Sequence, residues 1–239
     1  SPDNKFLITV QNCGATLDSE GKMVIVTEDI RNGNGRAIKS KLWAANRVDK
    51  MDEPINSIVW LMKDHSLPPV LKLEDPILAS VMGATLATKR TTAEKLAAGV
   101  DKDALVFEPY ANPFRTYPLE QDYGKFKARF EARCVQCYII NTGHFRDEKI
   151  PKEVTIGIIA SIVDGTAAFK AFGKMSAVKT MDIEGFEPDF TDQAYIDLLM
   201  KSMNNRISYL DSLLEFKGGR DHLPEDARAA VQKLIDEQK

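Results

Sequence analysis

The sequence has few cysteines, no long apolar run and little net charge, and each shortage argues against a class of protein. Cys13, Cys134 and Cys137 are an odd number of cysteines in a chain of 239 residues, which predicts a reducing compartment rather than a disulfide framework. No apolar stretch approaches the roughly 20 residues that cross a bilayer. The N-terminal SPDNKFLITV lacks the pattern of a signal peptide. We therefore expect a cytoplasmic protein with no membrane partner.

The charge pattern argues against nucleic acid as a partner. The chain carries 32 Lys and Arg against 35 Asp and Glu, for a formal net charge of −3, and the basic residues form no stripe. Hydrophobic residues make up 44% of the chain, which is enough for a globular core. With no repeats, low-complexity tracts or convincing linker, the sequence predicts a single domain over residues 1–239. The missing initiator Met suggests a piece of a longer chain.

Alternating strand and helix patterns predict an α/β fold, with a mixed sheet and flanking helices. The β-rich runs KFLITVQN and MVIVT flank the turn-forming LDSEGK, which predicts a β-hairpin region within residues 1–30. Ser57–Lys63 is predicted to be a buried strand, and strands are also expected at Asp103–Tyr110 and, more weakly, at Ser176–Ile183. Helices are predicted to begin near Asp75-Pro76, Thr91, Leu119, Ile150-Pro151, Thr191 and Pro224, the last two forming a helical tail over residues 190–239.

One stretch, VQCYIINTGHFRDEKIPKEVT, points to a ligand site. Val135–Ile140 is apolar at nearly every position, which predicts a central strand buried on both faces. In open α/β sheets, ligands bind beyond the carboxyl ends of the strands, and Asn141, Thr142 and Gly143 follow at that point. Lys149 and Thr155 would flank the same pocket, which suits a nucleotide. The alternative is a tight turn with solvated charges.

Several motifs in the same order resemble the C-terminal lobe of ATP-dependent phosphoenolpyruvate carboxykinase. IINTG with EKIPKEVT is similar to the nucleotide-binding segment of that family, and SIVWLMKDHSLPPVLKL to its strand before a Leu-Pro-Pro-Val turn. GATLDSEGKMVIVTEDIRNGNGRA looks like the segment that ends in the family's Glu-Asn-Thr-Arg element. MGATLAT, EPYANPFRTYPLEQDYGKF and IEGFEPDFTDQAYIDLLMKSM resemble further family segments, so the likeness runs from about Cys13 to Leu214.

The resemblance implies a reaction, cofactors and site residues. Members of the family use a nucleoside triphosphate and divalent metal, Mg²⁺ and usually Mn²⁺, to convert oxaloacetate into phosphoenolpyruvate and carbon dioxide, a step of gluconeogenesis. By resemblance, Arg36 is the catalytic arginine between the dicarboxylate substrate and the γ-phosphate. Lys149 stands where the family has an arginine packed on adenine, with Ile150 and Thr155 beside the base and ribose. Asn141, Thr142 and Gly143 complete the predicted nucleotide site.

The sequence departs from the family at important points. It contains no G-x-x-x-x-G-K-[ST] phosphate loop, and Gly21-Lys22, Gly124-Lys125 and Gly173-Lys174 are followed by Met, Phe and Met. The family's acidic metal-binding motif and N-terminal lobe lie upstream of the region of resemblance, so no metal ligand is predicted here. His144-Phe145-Arg146-Asp147 replaces the Trp-Gly-rich turn of the family. These 239 residues alone are therefore not expected to turn over substrate.

Other candidate sites have plain structural explanations. Cys134 and Cys137 have CxxC spacing, but residues three apart on a strand point to opposite faces, and no second pair completes a zinc site. His65, His144 and His222 have no carboxylate or nucleophile at motif spacing. NGNGR could be a turn with an exposed Arg36, in which case Arg47 would be the functional arginine.

Three hypotheses about function follow from the sequence. The first is the nucleotide-side lobe of a carboxykinase-like enzyme, whose missing N-terminal lobe supplies the phosphate loop. The second is a non-catalytic nucleotide- or small-molecule-binding domain that kept the fold. The third is an enzyme of different chemistry that uses the HFRDEK loop.

Overall fold

The computed structural model describes residues 10–11, 15–25, 36–37, 52–89, 105–112, 115–133 and 135–239. The chain divides into two compact units. The smaller unit comprises Ser1–Pro54 and Arg90–Ala104, and the larger comprises Ile55–Lys89 and Leu105–Lys239. The single domain over residues 1–239 stays a prediction.

The smaller unit contains two short antiparallel pairs. Strand β1 (Val10–Gln11) pairs with β4 (Arg36–Ala37), and β2 (Ala15–Leu17) pairs with β3 (Met23–Ile25). The turn between β2 and β3 is LDSEGK, in which Asp18 Oδ1 accepts hydrogen bonds from the backbone N–H groups of Glu20 and Lys22, at 2.9 and 2.8 Å. A hairpin thus lies within residues 1–30, but its first strand is Ala15–Leu17, and Val10–Gln11 of the predicted run KFLITVQN pairs with β4 instead. The rest of the β-rich run at Lys5–Asn12 lies outside the described residues.

The larger unit is a mixed five-stranded sheet with helices, which confirms the predicted fold class. In chain order its elements are β5 (Ser57–Met62), β6 (Val70–Leu73), α1 (Pro76–Ala84), β7 (Ala87–Lys89), β8 (Leu105–Phe107), α2 (Leu119–Arg133), β9 (Gln136–Asn141), β10 (His144–Phe145), β11 (Glu148–Lys149), α3 (Lys152–Val163), β12 (Lys170–Phe172), β13 (Met175–Thr180), α4 (Gln193–Ser212) and α5 (Glu225–Gln238). The strand order is β12-β13-β6-β9-β5. β5 runs parallel to β9, whereas the other neighbouring strands are antiparallel.

The position of β9 confirms the prediction of a central strand, whereas the prediction that β5 is a buried strand is wrong for one of its faces. β9 lies between β6 and β5, and every residue from Cys137 to Asn141 is buried. The sequence predicted a buried strand at β5. In the structure β5 is an edge strand of the five-stranded sheet formed by the described residues, and only one of its faces is buried. Trp60 and Met62 are buried, while the alternating Val59 and Leu61 are 37% and 55% exposed. Successive side chains of a strand point to opposite faces, so an apolar run does not require two covered faces.

The two faces of the sheet support cores of different size. The larger hydrophobic cluster joins side chains such as Leu71 and Ile139 to helices α1, α2, α4 and α5. On the opposite face, Val70 and Ile140 pack against Ile158 of α3. The sequence predicted Val154, Ile158, Ile159 and Ile162 on the inner face of this helix. Ile159 is 42% exposed, so the buried stripe of α3 is narrower than predicted.

Most helix boundaries follow the predicted caps. Asp75 caps α1 by accepting a hydrogen bond from the backbone N–H of Leu78, at 2.7 Å, with Pro76 as the first helical residue. α4 is capped by Asp192 rather than by the predicted Thr191, whose hydroxyl donates instead to Asp189. α5 begins directly after Pro224 as predicted.

The region between α1 and α2 differs from its prediction. Of the strand expected over Asp103–Tyr110, the described residues form β8, which pairs with the unpredicted β7, followed by a 3-10 turn at Pro109–Ala111. The helix predicted from Thr91 lies outside the described residues. Within the described ranges, no helix combines the length and apolarity needed to cross a membrane.

Candidate functional site

The parallel strands β5 and β9 bring two loops together at one edge of the sheet. In the register of the pair, Met62 lies opposite Asn141, and these are the last residues of their strands. The loop that begins with Lys63 therefore runs beside the loop that begins with Thr142. Beyond the carboxyl ends of neighbouring parallel strands is the place where α/β sheets bind ligands. We call this site the corner; it comprises residues 63–66 and 142–149.

Asn141 holds the two loops of the corner together from inside the core. Its side chain is 0% exposed, and Nδ2 lies 2.7, 2.6 and 2.9 Å from the carbonyl oxygens of Asp64, Leu67 and His144. Its Oδ1 accepts a hydrogen bond from the N–H of Gly143, at 3.0 Å. Buried amides need such partners because an unpaired polar group is costly in the core. Asn141 thus positions the corner, and contact between its side chain and a ligand stays a prediction that this burial does not favour.

Thr142 and Gly143 keep the backbone of the second loop against the first. The Thr142 N–H donates to the Met62 carbonyl at 2.9 Å, with its hydroxyl 3.3 Å from the same oxygen. A Cβ added to Gly143 would lie 3.2 Å from the Lys63 Cβ and 3.3 Å from Asn141 Oδ1. A side chain at this position would therefore require Lys63 or Asn141 to shift by a few tenths of an ångström, and the constraint comes from the close approach of the two loops rather than from a left-handed conformation.

A small hairpin, β10 and β11, replaces an open loop between β9 and α3. Its turn residue Arg146 adopts a φ of +53°, and the Arg146 N–H donates to the carbonyl of His65 at 2.7 Å. The Arg146 carbonyl lies 3.0 Å from His65 Nδ1, and the Arg146 guanidinium pairs with Asp192 at 2.8 Å. The sequence allowed two interpretations of the HFRDEK segment, a tight turn or a ligand-binding loop. In the structure this segment is bonded both to the loop that follows β5 and to Asp192, the cap of α4.

Two histidines stack at the corner in a positive electrostatic field. The rings of His65 and His144 lie 5.5 Å apart and are almost parallel, with an interplanar angle of 11°. Desolvation lowers the pKa of His144 below its ordinary value, and Lys149, His65 and Lys89 lower it further by repelling the charged imidazolium. Only Asp147 acts in the opposite direction. Desolvation disfavours an ion of either sign, so only the neighbouring cations among these causes would favour an anion at the ring.

The remaining predicted nucleotide residues differ in exposure. Lys149 is exposed on β11 opposite His144, and Thr155 is half-buried in the first turns of α3. Ile150 is only 3% exposed and belongs to the larger hydrophobic cluster, while its N–H donates to the Gly143 carbonyl at 3.1 Å. Lys149 and Thr155 can reach a ligand from solvent, whereas Ile150 anchors the chain between them.

Arg36, the predicted catalytic arginine, belongs to the smaller unit. Its backbone forms β4, in register with Gln11 of β1. Its side chain lies outside the described residues, so its role stays a prediction. Arg47, the alternative, also lies outside them.

A buried ion pair behind the corner was not predicted from the sequence. Asp64 Oδ2 accepts hydrogen bonds from Arg206 Nη2 at 2.9 Å and from the Ser202 hydroxyl at 2.7 Å, and both charged side chains are at most 3% exposed. Burial alone raises the pKa of Asp64, but the Arg206 guanidinium with the Ser202 and Ser66 hydrogen bonds holds it below its ordinary value. The available signal was an arginine on the buried stripe of α4, next to Met203 and Ile207.

The described residues offer no resident metal site. None of them forms a group of three or more His, Cys, Asp or Glu side chains that could hold a metal ion. Cys137 is buried, and burial raises the pKa of its thiol, which suits a core residue rather than a ligand or nucleophile. Cys134 lies outside the described residues.

Comparison with known proteins identified a similar sequence. No family model matches the chain. A phosphoenolpyruvate carboxykinase (ATP) from Aeropyrum pernix is 26% identical over 190 residues, which cover 77% of this chain and 37% of that protein. A match of that length in a chain of 239 residues must include its middle, and with it the corner. The chain is therefore related in sequence to a phosphoenolpyruvate carboxykinase (ATP), of which it spans little more than a third.

Proposed function

We propose that this chain is the nucleotide-binding part of a carboxykinase-like protein, which uses ATP to decarboxylate and phosphorylate oxaloacetate to phosphoenolpyruvate. The observation that carries the proposal is the corner formed by polar loops at the carboxyl ends of β5 and β9, within the region of similarity to a phosphoenolpyruvate carboxykinase (ATP). Catalysis belongs to the longer protein in this proposal, because these 239 residues contain no phosphate-loop motif.

The corner offers several groups to a triphosphate. Lys149, Lys89 and the two histidines contribute positive charge or hydrogen-bond donors. Pro151, the N-cap of α3, makes no side-chain capping bond, so the first N–H groups of this 12-residue helix keep their affinity for an anion. Thr155, in the same helix, would bind the ribose or base. These features together support a nucleotide more than a neutral ligand.

The other proposed roles follow from this placement. Thr142 and Gly143 are proposed to contact the nucleotide through their backbone, while the buried residues Asn141 and Ile150 fix the position of that backbone. Arg36 is proposed to act on the dicarboxylate substrate and the γ-phosphate. Mg²⁺ is proposed to enter as the Mg–ATP complex.

Reversing one charge at the corner tests the proposal. Isothermal titration calorimetry of the 239-residue chain with Mg–ATP should show one site, and Lys149→Glu should weaken binding about tenfold, which corresponds to about 1.4 kcal/mol. Lys233→Glu on α5 changes the net charge equally and should leave the affinity unaltered. A folded chain that takes up no Mg–ATP, or equal losses in the two variants, would contradict the proposed nucleotide site.

The pKa of the His144 ring provides a second test of anion binding, one that does not use calorimetry. In the free protein the pKa of His144 lies below its ordinary value, since desolvation and neighbouring cations disfavour the imidazolium. A bound triphosphate should raise this pKa, because the anion stabilises the charged ring. NMR titration of the His144 ring over pH 5–8, without and with Mg–ATP, measures the shift. The ring resonances of His222, far along the chain, serve as the internal control, and an unchanged or lowered pKa of His144 in the presence of Mg–ATP would place the triphosphate elsewhere.

A further inference from the structure

A cavity of about 490 Å³ lies between α4 and the hairpin of β7 and β8, inside the larger unit. Its size falls within the range of roughly 300–1,000 Å³ in which proteins bind small molecules. Of the residues assigned to the nucleotide it includes only His65, and it shares the loop of Asp64, His65 and Ser66 with the corner. The proposed nucleotide function leaves this cavity without a role.

One wall of the cavity is apolar. It is formed by Ala87 and the hairpin side chains Leu105 and Phe107, together with Leu198 of α4. Leu105 is 43% exposed, although it borders a concave surface. A ligand with an aliphatic or aromatic group would cover this wall, and the burial of apolar surface would favour its binding.

The opposite wall is polar and carries a single unbalanced positive charge. Asp64 and Arg206 neutralise each other, as their 2.9 Å ion pair shows. Lys201 is exposed and has no ion-pair or hydrogen-bond partner among the described residues, so its charge is uncompensated. Asn205 of α4 adds an amide that can donate to a ligand, whereas the hydroxyl proton of Ser202 is already donated to Asp64.

Arg206, which lines the polar wall, has one buried donor atom without a partner. Its side chain is 0% exposed and lines the cavity, yet Nε has no hydrogen-bond partner among the described residues. The other two guanidinium nitrogens bind Ser202, Asp64 and the sulfur of Met62. Buried donors in proteins are nearly always satisfied, and an exception calls for a missing acceptor.

We propose that this cavity binds a small organic carboxylate with an apolar body. The body packs between Phe107 and Leu198, and the carboxylate lies toward Lys201 and Asn205. Neither a free phosphate, which has no apolar part, nor a neutral hydrocarbon, which leaves Lys201 unpaired, matches both walls. A carboxylate supplies the negative charge that Lys201 lacks.

The pair 4-phenylbutyrate and 4-phenylbutan-1-ol tests the proposal, because the two probes share an apolar body and differ in charge. Calorimetric titration should show the acid binding about tenfold more tightly than the alcohol, the effect of one partly desolvated charge contact. Lys201→Gln should bring the two affinities close to equal. Lys233→Gln, the matched removal of a positive charge from α5, should preserve the tenfold preference.

Methyl NMR locates the probe without relying on any variant. The methyl groups of Leu105 and Leu198 should shift on addition of the acid, while those of the exposed Leu214 should not. Leu198→Trp fills the apolar wall and should abolish binding of both probes. Equal binding of acid and alcohol by the native chain, shifts confined to other methyl groups, or no binding at millimolar concentrations would each overturn the proposal. None of these outcomes depends on Mg–ATP, so the cavity and the nucleotide site fail or succeed separately.

Discussion

Replacing Arg206 by leucine should lower the free energy of unfolding by about 3–5 kcal/mol, because the substitution leaves the Asp64 carboxylate buried without its counter-charge. Both side chains of this pair are at most 3% exposed, so water cannot replace the lost partner. Whole domains are stable by only about 5–15 kcal/mol. Urea unfolding followed by circular dichroism at pH 7 measures the change.

The pH dependence of this variant identifies the cause. In the native chain the pKa of Asp64 is lowered, so its contribution to stability is present above the unfolded-state pKa of about 3.9 and is lost as pH falls through the lower folded-state pKa. Without Arg206, burial dominates and should raise the pKa of Asp64 in the folded state. The defect of Arg206→Leu should therefore shrink between pH 7 and pH 5, as Asp64 takes up a proton.

An exposed ion pair of similar geometry provides the control. Arg228 binds Asp211 through two contacts of 2.8 and 3.2 Å, but the two side chains are 48% and 44% exposed. Arg228→Leu should cost at most about 1 kcal/mol, since solvent screens such pairs. Equal effects of the two substitutions would show that the Asp64–Arg206 pair is not buried as described. The double variant Asp64→Asn with Arg206→Leu should recover part of the loss, because no unpaired charge remains.

Asn141→Asp should be the second most damaging substitution, with a loss of about 3 kcal/mol or more. The side chains have nearly the same shape, but an ionised carboxylate cannot donate to the carbonyls of Asp64, Leu67 and His144 that surround Nδ2. Four oxygen acceptors without a proton would then face one another in a fully buried position. The two loops of the corner should separate, and amide hydrogen exchange of Thr142 and Gly143 should accelerate.

The control for this variant is another asparagine whose Nδ2 donates to a carbonyl. Asn204 donates to the carbonyl of Met200 at 2.8 Å on the exposed side of α4. Asn204→Asp should change stability by less than about 0.5 kcal/mol, as is usual for surface positions. Asn141→Asp should also recover stability at low pH, because a protonated aspartate can donate one of the lost hydrogen bonds. A loss no greater than that of Asn204→Asp would remove the assigned role of Asn141.

Features that depend on neighbours in the chain could be predicted from the sequence. Asp75 before Pro76 indicates a helix start because the capping bond to Leu78 spans only three residues. The spacing of Leu119, Tyr123, Phe126 and Phe130 predicts α2 because side chains three and four residues apart share a helical face. The continuous apolar run before Asn141 indicates a central strand for the same local reason.

The site was only partly predictable, and the errors share one cause. The sequence indicated where β9 ends and which polar residues follow, and the structure pairs that end with the end of β5. It did not indicate that the Asn141 amide is used internally, that Ile150 enters the core, or that His144 stacks on His65. Arg36 and its relation to the corner stay predictions.

The sequence by itself determined most of the helix starts, the central strand and the family resemblance, since each depends on residue types and on spacings of a few positions. Only the tertiary structure decided that β5 has one exposed face, that Asp64 and Arg206 form a buried pair, and that α4 and the β7–β8 hairpin enclose a cavity. Burial and pairing depend on which distant segments meet, and Asp64 and Arg206 are separated by 142 positions in the chain. The free energy of burying a charged or polar group depends on which distant segments pack around it, not on its neighbours in the sequence.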